Sequence, residues 1–209
     1  MSDTRAGEIC MNLQRYLQAE FAEHAAVMER TRVALAEPFS KLLSRCLEAL
    51  HQGGKILFFG NGGSAADAQH LATELAVRFK TTRKAIAAIA LGTDAAMLTA
   101  VGNDLGFEEI FARQIEALGR PGDVALAMTT SGKSANILRA LRTARRLGLI
   151  AAALGGKGGG DLAGLADPML VVPSDVTARI QEMHVLLGHA LCEAIEVGLG
   201  LAAVPDHGK

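Results

Sequence analysis

After residue 54 the chain carries five short runs that are apolar through almost their whole length: 55–59 (KILFF), 86–91 (IAAIAL), 123–128 (DVALAM), 149–154 (LIAAAL) and 169–172 (MLVV). A strand with one wet face alternates apolar and polar residues. A run without alternation is buried on both faces, as in a parallel sheet covered by helices. Segments of helical spacing, 63–79, 94–102, 107–118, 134–147 and 176–199, separate the runs. This β–α alternation predicts a doubly wound α/β domain. In such folds ligands bind beyond the carboxyl ends of the strands, which here lead into the polar loops 60–64, 92–94, 129–134 and 155–160.

The first fifty residues follow a different rule. Ile9, Leu13, Leu17 and Phe21 recur every four residues, and Leu35, Phe39, Leu42, Cys46 and Leu50 keep a similar spacing. Two amphipathic helices are expected, with Pro38 in the first turn of the second and Gly53-Gly54 ending it. The chain therefore divides into an N-terminal helical segment, 1–52, and an α/β domain, 53–204. Two long helices ahead of the first strand need an apolar partner, either the body of the domain or helices of other subunits.

Composition narrows the partners. Net charge is −1, aromatics are 4% and tryptophan is absent, so a basic, base-stacking nucleic-acid surface has no support. No apolar run approaches the roughly 20 residues of a membrane span, and MSDTRAGEICMN lacks the pattern of a signal peptide. Cys10, Cys46 and Cys192 lie far apart in apolar helical patterns and read as buried thiols of a reducing compartment. The expectation is a cytoplasmic protein.

Two loops invite phosphate readings. Gly60-Asn61-Gly62-Gly63-Ser64-Ala65 fits the GxGxxG/A dinucleotide fingerprint, but position 80, where an acid should hold the ribose, is Lys80. Gly132-Lys133-Ser134 resembles the end of a P-loop, yet the first glycine of that motif would fall on Ala127. What remains is a set of hydroxyls at helix starts: Thr129, Thr130, Ser131 and Ser134, with Ser64 after the first strand. One hydroxyl suffices to cap a helix. Four in six residues suit an anion held at a helix N-terminus, as in a phosphorylated small molecule.

His70 and Glu74, spaced i, i+4, share a helix face beginning at the glycine loop. On the last predicted helix His189 lies some 80° around from Gln181, while His184 falls on the other flank. A site touching Gln181 and His189 tends to exclude His184. Each histidine taken alone reads as a residue satisfied by a backbone carbonyl, and Glu74 alone as one half of an exposed pair with Arg78. Two histidines, a glutamate and a glutamine could together hold a divalent metal, or supply acid and base without one.

The blocks GNGGSAADAQHLATEL, VGNDLGFEEIFARQI, GDVALAMTTSGKSANIL and RIQEMHVLLGHAL resemble the sugar isomerase (SIS) domain family, and within it the bacterial phosphoheptose isomerases, over about residues 10–200. The resemblance implies a flavodoxin-like fold, a five-stranded parallel sheet in a three-layer α/β/α sandwich, with N-terminal helices that assemble a homotetramer. It implies an aldose–ketose isomerase acting on sedoheptulose 7-phosphate in the first step toward lipopolysaccharide-core heptose. Asn61, Gly62, Gly63, Glu74, Asn103, Asp104 and Gln181 would contact the substrate, and Ser64, Thr129, Thr130, Ser131 and Ser134 its phosphate. One zinc per subunit would take His70, Glu74, Gln181 and His189, with Glu74 and His189 as the catalytic acid/base pair.

Thr129 stands where serine is usual, Lys133 replaces a common asparagine, Ala178 an acid and Gly155 a frequent threonine. These departures bear on substrate detail more than on reaction type. The alternative is a non-catalytic SIS-domain homotetramer that binds the bacterial replication initiator as an adaptor and keeps the QEMH stretch. A third reading is a sugar-phosphate sensor. Retention of Glu74 and His189 favours the enzyme.

Overall fold

The computed structural model describes residues 3–204 and 206, with side chains from residue 12 onward, so the side chains of Ile9 and Cys10 lie outside it. Five parallel strands form one sheet: β1 (Ile56–Gly60), β2 (Ala88–Ala90), β3 (Val124–Met128), β4 (Ile150–Gly155) and β5 (Met169–Val171), in the order β2-β1-β3-β4-β5. Seven α-helices accompany them among the described residues: α1 (Asp3–Ala34), α2 (Ala36–His51), α3 (Gly63–Ala76), α4 (Ala95–Asp104), α5 (Ile110–Leu118), α6 (Ala135–Arg146) and α7 (Thr177–Gly198).

The all-apolar runs do what their lack of alternation requires. Successive side chains of a strand point to opposite faces. Ile56, Phe58, Leu126 and Met128 therefore join one core with Leu42, Leu71, Met183 and Ile195 from α2, α3 and α7. Leu57, Phe59, Ala125 and Ala127 join a second with Phe111, Ile115, Ile137 and Leu141 from α5 and α6. The result is three layers, helix–sheet–helix. Each fully buried Leu, Ile or Phe removes enough apolar surface to contribute roughly 1.5–3 kcal/mol.

Element ends differ from expectation for identifiable reasons. The run 86–91 is a strand only over Ala88–Ala90, because it lies at the sheet edge with β1 as its one strand neighbour. The 107–118 segment opens as a 3-10 turn, Phe107–Glu109, before α5. The helix from Gly63 stops at Ala76, short of residue 79, because tertiary bonds take over: the Val77 carbonyl accepts from Arg83 and the Phe79 N–H donates to Glu196. At the end of α2, Gly53 turns with φ +78° and donates to the carbonyl of Leu50. Pro38 sits in that helix's first turn, as its missing N–H requires.

The middle of α1 is tied to the start of α7. Arg179, 7% exposed, donates to the Glu20 carbonyl and carboxylate and pairs with Glu182, which also meets His24. Nearer its start α1 shows Leu13, Tyr16, Leu17 and Phe21, all more than half exposed on this single chain. Cys46 and Cys192 are buried free thiols, and desolvation pushes both up to about 12. They are inert at neutral pH. Among the described residues no helix is long and apolar enough to cross a membrane.

Candidate active site

In the order β2-β1-β3-β4-β5 the chain leaves β1 toward one side of the sheet and continues from β3 toward the other. The crevice at that switch point, beyond the carboxyl ends of β1 and β3, is where such sheets bind ligands. Both loops singled out in the sequence lie there. Asn61, Gly62, Gly63 and Ser64 lead from β1 into α3, and Thr129, Thr130, Ser131 and Ser134 lead from β3 into α6.

The two loops are locked together. Asn61 and Asn136 exchange side-chain hydrogen bonds at 2.9 and 2.8 Å, and Asn136 is 2% exposed. Nothing in the sequence marks one asparagine inside a helix, Asn136, as such a bridge. Gly62 adopts φ +57°, ψ −123°, a conformation open to glycine that turns the chain into α3. A β-carbon at Gly132 (φ +63°) would run into the carbonyl of Gly159, and one at Gly160 into that of Ser131. The glycine-rich segment 155–160 is thus packed backbone to backbone against the hydroxyl loop.

The hydroxyls are not spent on capping. Ser134 occupies the N-cap of α6 without a side-chain cap bond. Thr129 Oγ1 and Ser131 Oγ accept from Gly132 and Lys133 N–H at 3.2 and 3.3 Å, holding the turn itself. Both α3 and α6 start at the crevice, so the positive ends of both helix dipoles lie there. An anion is the ligand that such a place favours.

Helices α3 and α7 pack side by side and run the same way. Gln181 lies against Gly63, where a β-carbon would collide with its amide. Farther along, Leu71 fills the space beside Gly188 and its carbonyl faces the Cys192 thiol at 3.9 Å. On α3, Gly63, Asp67, His70 and Glu74 form one stripe at i, i+4, i+7, i+11 spacing.

The seam brings His70, Glu74 and His189 together. His70 Nε2 and His189 Nε2 are 2.7 Å apart, and His70 Nε2 is 3.6 Å from Glu74 Oε1. All three ligand atoms fall within 4.8 Å of one another. No ion pair joins Glu74 to Arg78 among the described residues. Gln181 stands eight residues before His189, about 12 Å along α7.

The donor set fits a metal. Two imidazole nitrogens and a carboxylate are zinc ligands, and tetrahedral zinc keeps its ligand atoms about 3.3 Å apart. Two ring nitrogens directed at each other need either a proton or a cation between them. Asp67, one turn ahead of His70, carries a buried Oδ2 with no partner. Burial raises its pKa, against the opposing pull of His70.

His184 turns the other way. It is fully buried, and since a carbonyl can only accept, its Nε2–H donates to Gly155 at 3.1 Å. Desolvation lowers its pKa to about 4, the Gly155 bond partly opposing. His184 and His189 thus lie on different sides of α7, as helix periodicity requires. Asn103 and Asp104 lie exposed at the end of α4, where Asn103 donates to Asp104 at 2.7 Å. Among the described residues no hydrogen bond joins either to the crevice loops.

The pattern of the SIS domain matches residues 21–156. The phosphoheptose isomerase of Paramagnetospirillum magneticum is 60% identical, over 89% of this chain and 97% of its own length. The chain belongs to the SIS-domain family. Within that family it groups with the phosphoheptose isomerases. The solved structure of the Neisseria gonorrhoeae phosphoheptose isomerase superposes with a TM-score of 0.84 at 44% identity, covering 88% of this chain and 99% of that one. The Francisella tularensis structure gives 0.85 at 39% identity, with 88% and 98% covered. With its five-stranded parallel sheet and these superpositions, the α/β/α fold that the resemblance implied is the fold of this chain.

Proposed function

We propose that this chain interconverts sedoheptulose 7-phosphate and D-glycero-D-manno-heptose 7-phosphate, an aldose–ketose isomerisation through an enediolate. The observation that carries the reading is the His70–Glu74–His189 cluster on the α3–α7 seam, which begins at a hydroxyl-lined anion cradle. The 60% identity to a relative named phosphoheptose isomerase supports the substrate.

Isomerisation removes a proton from one carbon and returns it to its neighbour. Glu74, 19% exposed and with no arginine or lysine ion-paired to its carboxylate among the described residues, is the proposed base that moves this proton between C1 and C2. His189 is the proposed partner that carries protons to and from the sugar oxygens. Asn61, Gly62, Gly63, Asn103, Asp104 and Gln181 orient the sugar in this proposal. Ser64, Thr129, Thr130, Ser131 and Ser134 take the phosphate, anchoring it through a group that does not react. Seven residues of α3 separate Gly63 from His70, about 10 Å. An extended seven-carbon chain, six bonds of about 1.5 Å advancing about 1.25 Å each, together with its C–O–P link of about 2.5 Å, spans about the same distance.

His70, Glu74 and His189 would hold one zinc ion per subunit, and Gln181, whose amide lies at Gly63, would have to swing along the seam to serve as fourth ligand; when bound, the ion stabilises negative charge on neighbouring oxygens. The exposed stripe Leu13, Tyr16, Leu17 and Phe21 supports a homotetramer built through the N-terminal segment 1–52, the α/β domain 53–204 bearing the site. A cytoplasmic enzyme supplying heptose for lipopolysaccharide completes the proposal.

The test is proton exchange. Purified protein is incubated with sedoheptulose 7-phosphate in deuterated water, with and without zinc, and followed by NMR. Deuterium at C1 or C2 together with the aldose product is expected. Binding without exchange under either condition would refute the enzyme reading and turn attention to the adaptor.

A further inference from the structure

Beyond Ala76 the chain returns toward β2 through residues 77–87, and one ion pair of that segment is wholly inside the protein. The Arg83 side chain is 2% exposed and Glu196 on α7 is 1% exposed. Arg83 Nε donates to Glu196 Oε1 at 2.8 Å, and Nη2 donates to the Glu74 carbonyl at 2.8 Å. Nη1 donates to the carbonyls of Val77 and Lys84 at 3.3 and 3.1 Å. The same Glu196 oxygen accepts the Phe79 N–H at 3.2 Å.

These bonds converge on the two residues assigned to proton transfer. One carbonyl held by Arg83 belongs to Glu74 itself, in the last turn of α3, where carbonyls lack helical partners. Phe79, held through its N–H, lays its ring against His189, with centroids 5.2 Å apart and planes 25° from parallel. Lys80 reaches Glu193 at 2.7 Å. His189, Glu193 and Glu196 recur on one face of α7, and Phe79, Lys80 and Arg83 meet them in that order.

Stability alone does not call for this construction. A glycine ends a helix without a buried charge, and a buried ion pair adds little over an apolar pair of the same size. What a planar guanidinium with several fixed donors adds is rigidity. It joins the end of α3 to α7 through one group, so the Glu74 carboxylate and the His189 imidazole keep their separation.

We propose that Arg83, Glu196 and Phe79 are positioning residues for Glu74 and His189, holding the base and the imidazole in register across the α3–α7 seam. The proposal rests on the reading of Glu74 and His189 as the acid/base pair. It is tested with Arg83→Met/Glu196→Leu, which removes both charges together and strands neither. The expected result is a folded, assembled protein with KM within about threefold of wild type and kcat lower by about 10–100-fold. Recovery of kcat along with the fold would mean that the pair serves stability alone, and would overturn the proposal.

Phe79→Leu guards against a double variant that does not fold, because Phe79 is only half-buried. The same loss of kcat at unchanged melting temperature is expected, and unchanged kcat overturns the proposal. A third readout needs no turnover. The ring-current-shifted imidazole protons of His189 should move in both variants while those of His184 stay in place; an unmoved His189 signal refutes the positioning. If wild-type protein shows no isomerisation, the function reading fails, and this NMR shift still decides whether the imidazole is held by the Arg83–Glu196–Phe79 chain.

Discussion

Acid should weaken this protein through one imidazole outside the catalytic cluster. His184 is fully buried, donates through Nε2 to Gly155, and leaves Nδ1 without a partner. Burial lowers its pKa from 6.5 to about 4. The unfolded chain therefore takes up a proton as pH falls through 6.5, while the folded protein resists until about 4. A depressed histidine pKa means that its full contribution to stability is present above pH 6.5 and is lost as pH falls toward 4. With those two values, the linkage between pH 7.5 and 4.5 amounts to roughly 2–3 kcal/mol. For a chain of this size that is a drop of roughly 5–10 °C in melting temperature.

The clean comparison is His184→Gln, which can still donate to the Gly155 carbonyl but does not titrate. Thermal unfolding of both proteins would be followed by circular dichroism from pH 7.5 to 4.5 at one protein concentration, because assembly couples to stability. Subtracting the two curves removes groups common to both, including Asp67, whose raised pKa acts in the opposite sense. The wild type should lose roughly 2–3 kcal/mol relative to the variant. Parallel curves would refute the argument, showing that water or rearrangement lets the buried ring take up its proton inside the fold.

Glu74→Gln should lower turnover by at least about 100-fold while leaving sedimentation and phosphate binding intact, since it removes the base but keeps the shape; wild-type turnover would exclude Glu74 as the base. His70→Ala should abolish stoichiometric zinc retention, measured by atomic absorption on folded protein, and a full complement of zinc would place the metal elsewhere. Gly132→Ala, at φ +63° and against the Gly159 carbonyl, should cost at least about 2 kcal/mol and weaken inorganic phosphate binding, read by calorimetry. Leu17→Glu/Phe21→Glu should dissociate the assembly in sedimentation velocity without unfolding the monomer, because both side chains are more than half exposed on the single chain; an unchanged profile would count against α1 as the assembly helix.

The sequence by itself determined the layered α/β class, because apolar runs without alternation have nowhere to go except a sheet covered on both faces. It also marked the two crevice loops, since glycines and hydroxyls at strand ends have strong local conformational preferences. The i, i+4 pairing of His70 with Glu74 and the exclusion of His184 followed from helix periodicity alone.

What tertiary structure decided was long-range. Gln181 and His189 share α7 and predictably lie on neighbouring faces, but only the parallel packing of α7 on α3 places His189 at His70 and Gln181 at Gly63. The end of α3 likewise falls at Ala76 and not at residue 79, because the bonds that terminate it come from Arg83 and Glu196, the latter about 120 residues away in the chain. Asn136, Phe79 and Arg83 carry no local signal, since their roles depend on partners brought near only when the sheet is formed. Periodicity reports which face of an element is apolar; which element covers that face, and at what register, is settled by close packing of side chains distant in sequence.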